Sequence, residues 1–198
     1  MNISVVVGRT AALSCAILSA RPLIAQDAPA PYSMMTIRLG ATAVRPLDQL
    51  RTYYRGDVGS EVELEMPFEF GQLGLTINKN LLHGTGPQQF DIGTNVFAFD
   101  WRTRISLPHG VALVPGFRVG DLHMRYHDPH PPVGMQATEE FLVGGTLAVD
   151  VPVTGPLTAT ASGAWLFVPS ASRAHLGYVS LGGSYTTRLP GWFQRFLE

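Results

Sequence analysis

The sequence predicts an all-β fold: an eight-stranded, antiparallel, up-and-down β-barrel that crosses a membrane, with a short C-terminal amphipathic helix. Three observations carry this. Apolar and polar residues alternate with a period of two in eight successive runs. The connections between those runs alternate in length. The chain is also apolar without a helical span: 45% of its 198 residues are hydrophobic, 15% are charged and mean hydropathy is +0.13. No apolar stretch reaches the roughly 18 residues a spanning helix needs.

Fourteen basic and fifteen acidic residues give a net charge of -1, which offers no electrostatic footprint for nucleic acid. A single cysteine, Cys15, excludes a disulfide framework. Residues 1–26 read as a secretory signal peptide, with Arg9 as positive flank, Thr10–Ala20 as apolar core and Leu23–Gln26 as cleavage region. Acylation of Cys15 and a native N-terminal helix are the competing readings. Loss of Arg9 and Arg21 leaves 12 basic against 15 acidic residues, 12 − 15 = −3. Residues 27–32 form a short tether, 33–187 the barrel and 188–198 the terminal helix.

The runs justify the strands in turn. Met35, Ile37, Leu39, Ala41 and Ala43 alternate with Thr36, Arg38, Gly40 and Thr42. The sharpest run sets Val62, Leu64, Met66, Phe68 and Phe70 against Glu61, Glu63, Glu65 and Glu69. Parity then switches to Leu73, Leu75 and Ile77, the mark of a tight turn. The fourth run, Gln89 to Leu107, sets Phe97, Phe99, Trp101, Ile105 and Leu107 against Asp100, Arg102 and Arg104. The fifth sets Leu113, Phe117 and Val119 against Gly116, Arg118 and Gly120, then slips to Leu122, Met124 and Tyr126, as a bulge at Gly120 would produce. Phe141, Val143, Leu147, Val149 and Val151 oppose Gly144, Thr146, Ala148 and Asp150 in the sixth. Leu157, Ala159, Ala161, Trp165 and Phe167 oppose Thr158, Thr160 and Ser162 in the seventh, and Val179, Leu181 and Tyr185 oppose Ser180, Gly182 and Ser184 in the eighth. Pro67 and Pro115 fall inside runs and predict local bulges, because a closed barrel has no edge for a missing N–H.

Turns after runs two, four and six are brief (Gly71-Gln72, Pro108–Gly110, Thr154–Pro156). Those after one, three, five and seven are long and polar (Arg45–Ser60, Asn80–Gln88, His127–Thr138, Pro169–Ala174). Short turns at one rim and long loops at the other are expected of outer-membrane barrels, and an even strand number puts both chain ends on the short-turn rim.

On these residues, Tyr32 to Thr187 resembles the small outer-membrane β-barrel proteins, the OmpA/OmpX-like group. The last strand, Ser180–Thr187, is similar to the signal read by the barrel assembly machinery: Ser180, Gly182 and Tyr185 match, and Thr187 stands in place of an aromatic residue. The resemblance implies a monomer in the outer membrane of a Gram-negative cell, surrounded by outer-membrane lipid, with both termini in the periplasm and no cofactor.

In a membrane barrel the apolar face points outward. The polar face then places Arg38, Glu61, Glu63, Glu65, Glu69, Asp100, Arg102, Arg104, Arg118 and Asp150 in the lumen as a charge network, with arginine suited to forked pairing with carboxylates. Such a lumen is filled by side chains rather than open to general diffusion. Trp101, Trp165, Tyr185, Trp192, Phe193 and Phe196 are expected at the membrane interface. The last three belong to the tail, where Pro190 suits a first helical turn and the aromatics gather at helical spacing. A secreted lipocalin-like barrel, lined by the apolar face, is the principal alternative. A lipid A-modifying barrel enzyme is another, with His175 and Ser180 as the nearest candidates, although no orienting group or oxyanion donor accompanies them. His123, His127 and His130 have nitrogen ligands suited to a transition metal. Their proline-rich surroundings favour a solvated loop, so no metal site and no catalytic residue is assigned.

Overall fold

The computed structural model describes residues 31–86, 89–127, 137–169 and 174–197. The signal segment, most of the tether and the Pro-rich stretch with His130 lie outside them. Eight long strands form the barrel: β1 (Met34–Pro46), β2 (Val58–Phe68), β3 (Gly71–Gly84), β4 (Asp91–Arg102), β5 (Ala112–His127), β6 (Ala137–Thr154), β7 (Leu157–Val168) and β8 (Ala174–Arg188). Each pairs antiparallel with its sequence neighbours, and β1 pairs with β8, so the sheet closes without an edge.

Registers around the ring fix the geometry. Thr36 pairs with Glu65, Glu65 with Gly74, Gly74 with Asp100, Asp100 with Arg118, Arg118 with Gly144, Gly144 with Leu166, Leu166 with Leu176, and Leu176 with Pro46. One circuit therefore returns to β1 ten residues on, a shear of ten. Spread over eight strands, the register climbs about 1.25 residues per step. With about 3.3 Å per residue and about 4.8 Å between strands, the strands tilt by about 41° and the backbone cylinder has a radius of about 8 Å.

The outer wall is the apolar face. Leu39, Val62, Leu75, Phe99, Phe117, Leu147, Leu181 and Tyr185 are all exposed. Met35 to Ala43 on β1 spans about 20 Å along the barrel axis at that tilt, close to the roughly 25 Å apolar band of membrane barrels once side chains are added.

Two rims differ as the sequence predicts. Residues 69–70 and 155–156 are two-residue turns, helped by Gly71 at φ 143° and Gly155 at φ 49°, where a Cβ would strain the backbone. On the opposite rim, residues 47–57 carry helix α1 (Leu50–Tyr53) and a short strand, Tyr54–Gly56, that adds to β3.

Several boundaries depart from expectation. β2 stops at Phe68, so Glu69 lies exposed in the turn instead of the lumen. The fourth run breaks after Arg102 and resumes as Ile105–Ser106, paired with Leu113 and Ala112, before a 3-10 turn at Pro108–Gly110. Neither proline makes a bulge: Pro67 pairs with Gln72 and Pro115 with Leu147 in unbroken register. The Pro115 carbonyl accepts the Thr103 N–H at 2.9 Å, so its nitrogen faces the point where β4 has already ended. The register is also continuous through Gly120; the irregularity present falls at Pro152/Thr154, beside the β6–β7 turn.

The terminal helix α2 (Gly191–Leu197) follows Pro190, whose carbonyl accepts the N–H groups of Phe193 and Gln194. Leu189 is buried and its N–H bonds to the Ser33 carbonyl, which ties the tail beneath the short-turn rim.

Leu147 points outward and, after the register climb, is level with Leu39 in the middle of the apolar belt. Leu147→Arg is expected to reduce stability in lipid vesicles by about 2–4 kcal/mol, measured by urea unfolding. Unchanged unfolding would contradict an outward belt embedded in lipid.

Candidate functional site

The interior is built from every second residue of each strand, and it has two layers. The layer in the middle of the belt is ionic. Arg38 on β1 and Glu63 on β2 are register partners, and their side chains meet at 3.5 Å (Nη1–Oε2). Arg38 Nη2 also reaches Glu65 Oε2 at 3.2 Å and, across the lumen on β6, Asp150 Oδ1 at 3.4 Å. Arg102 Nη1 lies 2.6 Å from both Glu63 and Glu65, and its Nη2 is 3.5 Å from Asp100. Arg118 donates from Nε to Asp100 at 2.8 Å and from Nη2 to Thr76 Oγ1 at 3.1 Å; its Nη1 is 3.5 Å from Glu61. All these charged residues are buried. Arg104, half-exposed at the turn-rim mouth, completes the set with a 2.7 Å contact to Asp150, which also accepts from Thr160 at 2.8 Å.

Each of the three buried guanidinium groups therefore serves two or three carboxylates drawn from different strands. A planar fork with five donors does this where a lysine ammonium would not. Of the residues the sequence places in the lumen, Glu69 lies exposed in the turn after β2 and Arg104 at the mouth, while the other eight are buried side chains of the strands.

Toward the loop rim the inward face changes character. Glu61 accepts from Asn78 at 3.3 Å, Asn80 donates to Asn78, and Thr42 donates to Asn80 at 2.8 Å. Above this polar step lies an apolar layer of Val44, Leu82, Ile92, Val96, Leu122, Leu142, Leu166, Val168, Leu176 and Tyr178. Sequence reasoning missed it by reading Leu122, Met124 and Tyr126 as a face slip. They keep the inward parity of Arg118. The available signal was that Val44, Leu82, Ile92, Leu142 and Leu166 also take inward parity at the loop-rim end of their strands. Between the layers, Glu61, Arg102, Arg118, Ser162, Tyr178 and Ser180 line a void of about 10 Å³, the room of a single water.

The expected interface aromatics are spread over the wall. Trp165 lies near the loop-rim edge of the belt, its ring 5.0 Å from His175, which also lies 5.0 Å from Phe167. Tyr185 lies near the turn-rim edge. Trp101, packed on Phe117 at 5.9 Å, is a correction: the register climb sets it level with Leu39, in mid-belt. Trp192 is exposed and packs on Phe193 at 5.5 Å; the side chain of Phe196 lies outside the described residues.

His123 and His127 sit on the outward face of β5, in strand instead of loop, and His130 lies outside the described residues. Among the described residues no cluster of three or more potential ligands could hold a metal ion. His175 and Ser180 are five apart on one strand and so face opposite sides of the sheet, outward and inward, which precludes a shared His–Ser site. His175 instead contacts Asp48.

No family profile and no curated protein matches the chain. Among solved structures, Neisserial surface protein A superposes with a TM-score of 0.62 at 11% identity, over 76% of this chain and 96% of that one. Ail, the attachment invasion locus protein of Yersinia pestis, gives 0.54 at 11% identity (78% and 99%), and OprG of Pseudomonas aeruginosa 0.53 at 12% (80% and 98%). The fold is that of the small outer-membrane barrels.

Two predictions follow. Arg102→Ala leaves Glu63 and Glu65 short of a cation and is expected to lower stability by about 3–5 kcal/mol, whereas adding Glu63→Gln recovers part of the loss. Urea unfolding followed by gel mobility checks both; an additive double variant would contradict the coupled network. The second concerns the loop rim, where His83 bridges Asp91 Oδ2 at 2.9 Å and Asp57 Oδ2 at 3.1 Å. Hydrogen bonds to Asp57 and Asp91 raise the His83 pKa above 6.5, while bonds from Val58 N–H and His83 lower that of Asp57, and bonds from His83 and Gly84 N–H lower that of Asp91. The imidazolium contribution is complete below about 6.5 and fades as pH rises through the raised value; the carboxylate contribution is present above about 3.9 and fades as pH falls through the lowered ones. Residues 47–57 should thus be held most firmly at mildly acidic pH. NMR titration should give a His83 midpoint above 6.5, falling toward that value in Asp57→Asn.

Proposed function

We infer that this protein is an outer-membrane β-barrel of structural or interaction type, with a lumen plugged in two layers and no role as a general diffusion pore. One observation carries the reading: the chain has its apolar face outside and its ionised face inside. A soluble barrel that binds an apolar ligand would have the reverse arrangement. The arginine–carboxylate layer closes the lumen at mid-belt, and the apolar layer above it excludes hydrated ions a second time. The start of β1 and the end of β8, at the short-turn rim, lie on the periplasmic side, and the loop-rim segment 47–57 faces outside the cell. Residues 1–26 direct export, β8 carries the segment read by the barrel assembly machinery, and the barrel works as a monomer in outer-membrane lipid. Trp192 and Phe193 of α2 rest on the inner-leaflet interface beneath Leu189.

Cell fractionation with detergent partition tests the membrane assignment: the protein should enter the detergent phase and migrate differently in boiled and unboiled gel samples. A protein soluble without detergent would contradict it. In planar bilayers the wild type should pass little current. A large, steady wild-type conductance would overturn the plug.

A further inference from the structure

The outer wall changes chemistry along one row of paired residues. On β2, β3 and β4, Val62, Ile77 and Phe97 form an unbroken apolar row on the outer wall toward the loop rim. The next outward row is Ser60, Lys79 and Asn95, paired side by side. A hydroxyl, an ammonium and an amide thus stand about 5 Å apart from strand to strand. Lys79 is the only lysine of the chain. None of these three side chains has an ion pair or side-chain hydrogen bond among the described residues.

An open groove of about 550 Å³ begins above this row, with Ser60 and Lys79 in its lining and Asn95 beside it as the register partner of Lys79. Its wall continues upward through Val58 and Leu81 to Gly93, whose missing side chain leaves room that the His127 ring overhangs; a Cβ there would lie 2.6 Å from His127 Nε2. The carboxylate at the upper end, Asp91, is already engaged by His83 and by the Gly84 N–H at 3.0 Å. Asp121 lies two strands from Lys79, between Phe97 and Phe141.

We propose that this row and the groove above it form a binding site for the phosphate-bearing headgroup of an anionic membrane lipid, with Ser60, Lys79 and Asn95 as donors and Val62, Ile77 and Phe97 on the wall below seating the top of its acyl chain. This rests on the membrane reading of the belt. The argument for a lipid over a free anion is continuity. The donors open directly onto the apolar belt, so a ligand with one anionic end and one apolar end satisfies both surfaces, whereas a lone phosphate leaves the apolar row unused. Lys79, without an ion pair among the described residues, supplies the charge complement.

The single lysine makes the test direct. The mature barrel is reductively methylated with ¹³C-formaldehyde, which keeps the lysine charge, and folded into phosphatidylcholine nanodiscs doped with increasing phosphatidylglycerol. A gel-mobility shift first establishes that the barrel is embedded, so failure of the membrane reading is seen separately. The Lys79 methyl resonance should shift and saturate at a several-fold lower phosphatidylglycerol fraction than the reporter of a Lys79→Arg/Arg188→Lys variant, which moves the lysine to the opposite rim. Ser60→Ala combined with Asn95→Ala should weaken the Lys79 response several-fold. Equal responses at both rims, which general surface potential would give, would overturn the site. So would an absent response, an unweakened response in the double variant, or an equal shift produced by inorganic phosphate in undoped nanodiscs.

Discussion

An eight-stranded sheet that closes with a shear of ten encloses a backbone cylinder of radius about 8 Å, and the rest of the molecule answers to that constraint. Closure satisfies every ladder N–H and C=O without an edge, the condition for strands in lipid. It also leaves an interior only wide enough for side chains. Any charge placed there is deprived of water and must be neutralised by its neighbours within a few ångströms. Glu61, Glu63 and Glu65 arrive on one strand at alternate positions, so their compensation has to come from other staves. Arg38, Arg102 and Arg118 provide it from β1, β4 and β5, and the contacts to Asp150 and Glu61 cross the lumen instead of running along one hairpin. The network thereby couples strands that do not pair.

The eight strands, both faces and nearly the whole ionic layer are legible in the sequence, because period-two alternation depends only on which residues meet lipid and which do not. The Glu run of β2 is the clearest instance: parity alone puts Glu61, Glu63 and Glu65 inside. Parity fails where a strand ends. Glu69 keeps the polar pattern but lies past Phe68, and a two-residue turn has no inside. Alternation also presumes one chemistry per face. The apolar inward residues near the loop rim break that assumption, so Leu122 reads as a slip when it is a change of layer. Heights are a third blind spot: position within a run suggests that Trp101 lies near an edge, but the shear lifts β4 relative to β1 and brings Trp101 to mid-belt. That offset depends on pairings around the whole ring.

The loop rim follows a different electrostatic logic from the lumen. Of the described histidines, His83, His123 and His175 each contact a carboxylate there: Asp57 and Asp91, Glu139, and Asp48. These contacts tie residues 47–57 to the top of β3 and β4 and to the aromatic wall at Trp165 and Phe167. Such exposed contacts contribute little stability individually. They do engage several of the rim's acids, while Lys79, beside the apolar belt, has no ion pair among the described residues.

The central claim is that side chains of one parity face lipid and those of the other fill a dry, ion-paired interior. Methyl NMR of the folded barrel in nanodiscs, with a spin label carried on the lipid acyl chain, tests it most directly. Resonances of Leu39, Leu147 and Leu181 should be strongly broadened, and those of Leu142, Leu166 and Leu176 should be nearly unaffected. Broadening of the second group with sparing of the first would show that the apolar face points inward, and would contradict the account.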